Sequence, residues 1–181
     1  MDKTEKTGKM EKMEKMDMAT DPTFEVLKLL EENARYSYDE ISEITGLKEE
    51  EVKKIIKKSE EEKAILKYKA IVDWEKLGEE FVVAVIDVRV NLTREKNYDD
   101  IARRIAKFPE VHAVRLVSGE YDFQVVVKGR SLKEVSIFIS EKISTLPEVR
   151  DTNTHFVLKT YKEEGVLLFS DEEDRRLAIV P

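Results

Sequence analysis

Residues 81–90 read Phe-Val-Val-Ala-Val-Ile-Asp-Val-Arg-Val, and this stretch decides which fold the second half of the chain can adopt. Its β-branched residues predict a strand. Because side chains alternate along a strand, the apolar residues divide between two faces. One face carries Val82, Ala84, Ile86, Val88 and Val90, and the other carries Phe81, Val83 and Val85. Both faces of the sheet therefore need a cover.

The sequence after this strand predicts two helices and three more strands, in the order β-α-β-β-α-β. Capping signals open both helices, Asn97 for the first and Ser131 to Glu134 for the second. The segment Ser118-Gly119-Glu120 is short enough to join two strands as a hairpin. The predicted elements are a helix over 98–105, strands over 111–117 and 121–127, a helix over 131–143 and a strand over 151–159.

A short internal repeat indicates two matching halves. Phe108-Pro109-Glu110-Val111 is echoed 38 residues later by Leu146-Pro147-Glu148-Val149, and each copy ends a helix and opens a strand. Two β-α-β halves form a ferredoxin-like α+β domain. Both of its helices cover the same face of the sheet. The simplest cover for the opposite face is a second copy of the chain, which predicts a homodimer.

The residues before this domain predict three short helices. Capping and turn signals mark their ends: Asp21-Pro22, the capping box Ser37–Glu40, and Gly46. The third helix has an apolar stripe formed by Val52, Ile55 and Ile56. Two helices that follow a packing helix and are joined by a tight glycine turn are typical of a helix-turn-helix. Residues 65–72 then predict a wing or a linking strand.

These features divide the 181 residues into four segments. They are a charged tail over 1–20, a helix-turn-helix domain over 21–78, a ferredoxin-like domain over 79–162 and an acidic extension over 163–181. The first segment has no apolar stripe, so we expect it to be disordered. The apolar pieces of the last segment leave two alternatives open, a partly ordered tail or a segment that docks on the same or a neighbouring subunit.

Composition excludes several classes of protein. The chain has no cysteine, which excludes a disulfide framework and thiol catalysis. Its longest apolar run, 81–86, is much shorter than the roughly 18 residues of a membrane span. The first residues have no apolar core of the kind a secretory signal needs, so we expect a cytoplasmic protein. His112 and His155 alone make a poor metal set. Since no known catalytic or nucleotide-binding fingerprint is present, we expect no catalytic residue, cofactor or metal site.

The third helix carries the candidate contacts to nucleic acid. The net charge of −7 argues against a protein that coats polyanions generally, but a local basic surface remains open. Lysines on the outer face could neutralise phosphates, and two residues that open the preceding helix could add backbone contacts. These candidates are Ser37, Tyr38, Lys48, Lys53, Lys54, Lys57 and Lys58. The alternative, which spacing alone favours, is a solvated helix with the ion pairs Glu49–Lys53 and Glu50–Lys54.

The predicted hairpin carries the candidate effector site. Gly119 permits a positive φ and the close approach of a ligand, and Asp122 could receive an amino group. Further candidates for the same cleft, from an adjacent subunit where strands meet, are Ser118, Tyr121, Thr152 and Thr154. The alternative is an ordinary hairpin turn, because Ser-Gly-Glu is a good turn without any ligand.

The chain resembles the Lrp/AsnC, or feast/famine, family of transcription regulators. The resemblance covers roughly residues 21–162, and its segments occur in the family's order. They are Val26 to Leu30, Tyr38 to Leu47, Tyr68 to Gly78, Phe108 to Val111, Ser118 to Asp122 and Thr154 to Leu158. The resemblance implies a winged helix-turn-helix joined to a ferredoxin-like βαββαβ sensing domain of the RAM type.

The resemblance also implies a function. Family members form dimers and often octamers, bind double-stranded promoter DNA, and many bind amino acids between dimers. The third helix departs from the family pattern, with Lys48, Glu51, Ile55 and Ser59 replacing the usual Ser, Ser or Thr, Arg and Leu. Two alternatives stay open: an effector-binding oligomer with weak or no specific DNA binding, and an Lrp-like decarboxylase of haem precursors.

Overall fold

The computed structural model describes residues 21–92 and 96–168, so the tail over 1–20 and the end of the acidic extension lie outside the described residues. The chain divides into two compact units between Ala70 and Ile71. Within the described residues, no helix is long and apolar enough to cross a membrane.

The first unit contains the three predicted helices, α1 (Pro22–Glu32), α2 (Tyr38–Thr45) and α3 (Glu49–Glu61). The capping residues act as the sequence predicts: Asp21 Oδ1 accepts from the backbone N–H of Thr23, and Ser37 forms the capping box with Glu40. One apolar side chain or more from each helix enters a shared core, made of Val26, Ile41, Val52 and Ile56. Burial of this core holds the three helices together.

The turn between α2 and α3 is held by side-chain hydrogen bonds. Gly46 caps α2 with a φ of 73°, in the left-handed region that glycine enters without strain. The Ser42 hydroxyl donates to the carbonyl of Leu47 at 2.6 Å, and the Thr45 hydroxyl donates to the carbonyl of Ile41 at 2.7 Å. The glycine turn predicted from the sequence is confirmed, and its geometry sets the direction in which α3 leaves α2.

The strand predicted over residues 65–72 is wrong for this structure. No strand lies between α3 and residue 82 within the described chain; a short 3₁₀ helix, Glu75–Leu77, is the only regular element there. The reason is physical: an extended segment becomes a strand only when a neighbouring backbone completes its hydrogen bonds. Leu66, Tyr68, Ile71 and Val72 are correspondingly exposed.

The second unit contains a four-stranded antiparallel sheet. Its strands are β1 (Val82–Val90), β2 (Val111–Leu116), β3 (Phe123–Gly129) and β4 (Val149–Phe156), in the spatial order β2-β3-β1-β4. The helix α4 (Tyr98–Ile105) lies between β1 and β2 in the chain, and α5 (Leu132–Phe138) lies between β3 and β4. A π-helical turn, Ile139–Ile143, extends α5. The β-α-β-β-α-β order is confirmed.

The alternation in β1 separates two environments. Ala84, Ile86 and Val88 are completely buried, and they pack with apolar residues of α4, α5 and β3 in a single core. On the opposite face of the sheet the side chains of β1 and β3 are only partly buried, and those of β4 are exposed. That face carries Val83, Val85, Asp87 and Arg89 of β1, Gln124, Val126 and Lys128 of β3, and Asn153 and His155 of β4.

A small hairpin follows the sheet, where the sequence left a partly ordered tail and a docking segment as alternatives. It pairs β5 (Lys162–Glu163) with β6 (Val166–Leu167) around a turn in which Glu164 and Gly165 both have positive φ. The side chains of Val166 and Leu167 are about half exposed. The first residues of the acidic extension are therefore ordered as a hairpin.

Gly129, at the end of β3, is required by close packing. A methyl group at this position would lie 2.8 Å from Cγ2 of Val135, a core residue of α5. We expect Gly129→Ala to lower the free energy of unfolding by about 1–3 kcal/mol, because a packed core does not yield easily to added volume. Urea denaturation measures this loss. Adding Val135→Ala removes the clash, so the double variant should lose less than the sum of the single losses; additive losses would contradict the contact.

A buried carboxylate links α4 to the start of β4. Glu148 is only 4% exposed, and its carboxylate accepts from the ammonium of Lys96 and, at 3.4 Å, from the guanidinium of Arg104. The neighbouring Lys96 ammonium holds the pKa of the Glu148 carboxyl below its ordinary value of 4.5. The second glutamate of the internal repeat therefore has two cationic partners.

This lowered pKa makes the Glu148 pair sensitive to acid. A carboxyl with a lowered folded-state pKa stabilises the fold above its unfolded pKa, and the contribution disappears as the pH falls through the folded value. We expect Glu148→Gln to destabilise the protein at pH 7 and the difference from wild type to shrink steadily below pH 4.5. Urea denaturation across this pH range gives the difference directly. A constant difference at all pH values would show that the ion pair does not contribute.

Candidate functional site

The candidate lysines lie along the exposed side of α3, and most of them are paired with acids. Lys53 Nζ lies 2.8 Å from Glu49 and 3.3 Å from Glu50, so the predicted Glu49–Lys53 pair is confirmed. The predicted Glu50–Lys54 pair is wrong, because Glu50 contacts Lys53 instead. Weaker pairs join Lys57 to Glu61 at 3.9 Å and Lys58 to Glu62 at 3.8 Å. All of these pairs are solvent-exposed, so each can be exchanged for another partner at little cost.

Within residues 21–92 and 96–168, two lysines of the set have no acidic partner. Lys54 is exposed and forms no ion pair within the described residues. Lys48 occupies the N-cap position of α3, where its side chain forms no capping hydrogen bond because an ammonium group cannot accept one. These two cations, together with the exchangeable ones, give α3 a surface that can meet anions.

Tyr38 lies next to this surface, whereas Ser37 is used inside its own helix. The Lys53 ammonium lies 5.7 Å from the centre of the Tyr38 ring, so the structure brings these two predicted residues together. The Ser37 hydroxyl accepts from the Glu40 N–H at 3.2 Å and donates to the Glu40 carboxylate at 3.0 Å. Hydrogen bonds from the Ser37 backbone and hydroxyl lower the pKa of the Glu40 carboxyl.

Ser59 stands where the family pattern has a leucine, and its hydrogen bond explains how α3 accommodates a polar residue there. The side chain is only 4% exposed, and its hydroxyl donates to the Ile55 carbonyl at 2.8 Å. A buried hydroxyl that is hydrogen-bonded avoids most of its desolvation cost. The helix that carries the lysines is therefore continuous through this position.

The second candidate site is the loop between β2 and β3. Gly119 has a φ of +152°, and a Cβ built on it would meet no atom within 4 Å. The Val117 N–H donates to the Asp122 carbonyl at 2.9 Å and closes the loop. The loop is thus longer than the three residues that the sequence suggested, and β3 begins at Phe123 rather than at residue 121. The backbone at Gly119 is open to a ligand.

Asp122 is occupied by bonds within the chain. One carboxylate oxygen accepts from the Val90 N–H at 2.8 Å, and the other accepts from the Tyr98 hydroxyl at 2.9 Å. The Asp122 N–H also donates to the Val88 carbonyl at 3.0 Å. The hydrogen bond to Asp122 raises the pKa of the Tyr98 hydroxyl. Asp122 therefore joins the end of β1 to the start of α4, a role that hairpin spacing gave no reason to expect.

Arg89 is a loop contact that the sequence analysis missed. Its guanidinium donates to the Glu120 carbonyl at 3.1 Å and to the Glu120 carboxylate at 2.8 Å, and it stacks 5.0 Å from the centre of the Tyr121 ring. The one sequence signal was a basic residue in a mostly apolar strand. Arg89 fixes the loop from the open face of the sheet.

The two candidate threonines of β4, Thr152 and Thr154, lie at different distances from the β2–β3 loop. Val88 pairs with Phe123 on one side and with Thr152 on the other, so Thr152 is two strand spacings from the loop. Its hydroxyl lies 3.4 Å from the Ser144 hydroxyl. Thr154 pairs with Ile86, one step further from the loop. Both threonines lie on the helix-covered face of β4, whereas Arg89 lies on the open face.

The histidines do not meet. His112 lies on the edge strand β2 and contacts the Glu110 carbonyl. His155 lies on β4, the opposite edge strand, 3.3 Å from the carboxylate of Asp87 on β1. No group of three metal-binding side chains occurs in the described part of the chain.

Comparisons with known proteins agree on one family. The family model described as the Lrp/AsnC ligand binding domain matches residues 83–167. The uncharacterized HTH-type transcriptional regulator YugG of Bacillus subtilis is 43% identical over 163 residues, which cover 90% of this chain and 98% of that protein. The HTH-type transcriptional regulator FL11 of Pyrococcus horikoshii is 36% identical over 138 residues, covering 76% of this chain and 88% of that protein.

Solved structures share the fold at lower identity. Escherichia coli AsnC superposes with a TM-score of 0.61 at 22% identity, covering 78% of this chain and 93% of that one. The transcriptional regulator NMB0573 of Neisseria meningitidis, solved in complex with L-Met, gives a TM-score of 0.64 at 24% identity, covering 79% and 92%. The relatives named above are transcriptional regulators, not enzymes, so the decarboxylase alternative gains no support from them.

Proposed function

Because the chain belongs to the Lrp/AsnC family of transcriptional regulators, we propose that it binds double-stranded promoter DNA in the cytoplasm and that a small effector controls this binding. The observation that carries the proposal is the pair α2–α3, locked by the Gly46 turn, with its lysines on the exposed side of the second helix. Such a helix can enter the major groove while its lysines meet phosphates.

The candidate DNA contacts are the seven residues predicted from the sequence, Ser37, Tyr38, Lys48, Lys53, Lys54, Lys57 and Lys58. The five lysines differ in whether an acidic side chain already pairs with them. Lys48 and Lys54 are available at once, whereas Lys53, Lys57 and Lys58 must exchange an acidic partner for a phosphate. Exposed ion pairs are weak, and phosphate contact releases counterions, so this exchange is favourable at moderate salt. Tyr38 and the N-terminus of α2, which begins after Ser37, would contact the backbone beside them.

The proposed effector site is the β2–β3 loop together with Thr152 and Thr154 of an adjacent subunit, since within one chain the two threonines lie at least two strand spacings from the loop. Gly119 and Ser118 would admit the carboxylate of an amino acid to the backbone, and Tyr121 would lie against its side chain. Asp122 would act chiefly by holding the loop, because Val90 and Tyr98 already occupy both of its oxygens. An amino acid is the favoured class since one structural relative was solved with L-Met.

The proposed assembly is a homodimer through the open face of the sheet, with octamers as the next level. The partly buried valines Val83, Val85 and Val126 support the dimer because their apolar surface needs a cover. Effector binding between dimers would shift the population among assemblies or among placements of the DNA-binding helices. The finer domain scheme, a winged helix-turn-helix over 21–78 and a RAM-type sensing domain over 79–162, belongs to this proposal.

Selection of bound DNA from a pool of random duplexes at about 0.15 M salt tests the proposed function, because non-specific phosphate binding is weak there. We expect an enriched, roughly palindromic sequence whose half-sites match a dimer. Repeating the selection with each amino acid in turn covers the case in which the effector is needed for binding. Folded protein that enriches no sequence under any of these conditions would refute the proposal.

One observation favours a second candidate function. Three consecutive acids, Glu49, Glu50 and Glu51, open α3, and two of them bind Lys53. Acids at this position repel phosphates, which supports an effector-binding oligomer that acts without specific DNA recognition. The same selection separates the two functions, since this candidate predicts effector binding by folded protein that enriches no DNA.

A further inference from the structure

The side chain that fixes the β2–β3 loop comes from the face of the sheet that carries the proposed dimer contact. Arg89 is the last of four β1 residues on this open face, after Val83, Val85 and Asp87. Its partner Glu120 belongs to the loop of the proposed effector site. One guanidinium therefore connects the surface that a second copy of the chain would cover with the loop that a ligand would enter.

The contact of Arg89 with the loop is not the one that its place in the sheet suggests. Asp151 stands opposite Arg89 in the register of β1 with β4, and Asp87 is two residues away on the same face. Within the described residues, however, the acidic partner of Arg89 is Glu120. Its Nε and Nη2 atoms donate separately to the Glu120 carbonyl and carboxylate, and the group stacks on the Tyr121 ring. A planar group held by two bonds and one ring fixes the orientation of the loop as well as its position.

The strength of this contact depends on what covers the open face. The Arg89 side chain is 27% exposed and that of Glu120 is 77% exposed. In a single chain, water competes for both groups, so the pair is weak. In a dimer that covers the face, a guanidinium that left the loop would have lost water without gaining another partner, which is costly. Covering the face therefore raises the free energy needed to separate the loop from Arg89.

We propose that Arg89 is a positioning residue through which dimer formation on the open face orders the β2–β3 loop. The coupling rests on the proposed dimer and the proposed effector site, and it supplies a physical link between them. By thermodynamic reciprocity the link acts in both directions. A ligand that holds the loop in the geometry in which Glu120 accepts from Arg89 strengthens the dimer, and a ligand that pulls the loop away weakens it.

Amide exchange measured by NMR on the full chain tests the coupling without any effector. The Val117 N–H closes the loop and the Asp122 N–H joins it to β1, so their exchange rates report its opening. In the dimer, Arg89→Ala should raise both rates about tenfold or more, as expected for the loss of a charged hydrogen bond. Val85→Lys puts a charge on the open face and supplies the monomer, as sedimentation checks. In that background Arg89→Ala should raise the rates about threefold or less, because the pair is then exposed.

Two further variants distinguish this coupling from an ordinary stabilising contact. Arg89→Lys keeps the charge but lacks the planar fork, so it should restore only part of the protection in the dimer. Arg115→Ala is the matched control, since Arg115 lies opposite Gln124 on the same face and forms no bond to the loop within the described chain. Its rates should stay within about twofold of wild type. Unchanged exchange of the other sheet amides shows that each variant is folded.

The outcomes separate the coupling from the proposed function. An equal effect of Arg89→Ala in the dimer and in the monomer overturns the coupling, because the contact would then act within one chain only. The absence of any effect in the dimer overturns the contact itself. Wild type that sediments as a monomer, or Val85→Lys that remains a dimer, overturns the coupling together with the proposed dimer. Failure of every amino acid to bind refutes the proposed effector site alone, since the exchange rates are measured without a ligand.

Discussion

Replacing Asp122 by alanine is expected to lower the free energy of unfolding by about 3 kcal/mol, because two hydrogen bonds to a carboxylate are lost together. The Val90 N–H would then be left without an acceptor in a residue that is only 8% exposed. The Tyr98 hydroxyl would lose its partner as well, and β1 would no longer be joined to the start of α4. Urea denaturation gives the loss.

Two milder variants divide this loss between its causes. Asp122→Asn keeps an acceptor for Val90 and should cost less than alanine, whereas Tyr98→Phe removes only the second bond. If Asp122 instead acted mainly as an effector ligand, alanine would leave stability nearly unchanged while abolishing effector binding. Measuring both quantities on the same variants separates a residue that holds the loop from one that contacts the ligand.

Reversing three α3 lysines together, Lys53→Glu, Lys54→Glu and Lys57→Glu, is expected to weaken DNA binding about a hundredfold or more at 0.15 M salt. Each lost phosphate contact lowers the slope of log affinity against log salt by about 0.9, so the slope itself should become shallower. Fluorescence anisotropy with labelled duplex over a series of salt concentrations measures both effects. Lys54 and Lys57 are exposed and Lys53 is partly exposed, so we expect the variant to fold, and circular dichroism checks this.

A control with the same change in net charge makes this result specific. Lys28→Glu, Lys107→Glu and Lys162→Glu reverse three exposed lysines outside α3. This variant should bind DNA within a few-fold of wild type. An equal loss in both triple variants would mean that overall charge, and not the surface of α3, governs binding.

Much of the fold was predictable because its signals are local. The capping boxes at Ser37 and Asn97 set helix starts within one turn of backbone, and Gly46 ends α2 by the same kind of local rule. The alternation in 81–90 predicts the core residues of β1 correctly. The strand predicted over 65–72 failed because a strand requires a neighbour, and the pattern of one segment does not supply it.

The candidate site was less predictable because its contacts join distant segments. The candidates Gly119 and Tyr38 came from local features, and the structure supports an open backbone at the first and a lysine contact at the second. Arg89 was missed, since its partner Glu120 lies 31 residues away in the chain. Glu50 was assigned to Lys54 by spacing, yet it contacts Lys53, because two acids one position apart can share one flexible ammonium.

The sequence by itself determined the order of elements, their faces and the helix ends, because periodicity and capping act over a few residues. Only the tertiary structure decided which polar groups meet. Asp122 binds Val90 and Tyr98, 32 and 24 residues away, and Glu148 binds Lys96 across 52 residues, whereas the matching Glu110 is left unpaired. Such pairs depend on strand register and helix packing, which place distant side chains within hydrogen-bonding distance only after the whole unit has folded.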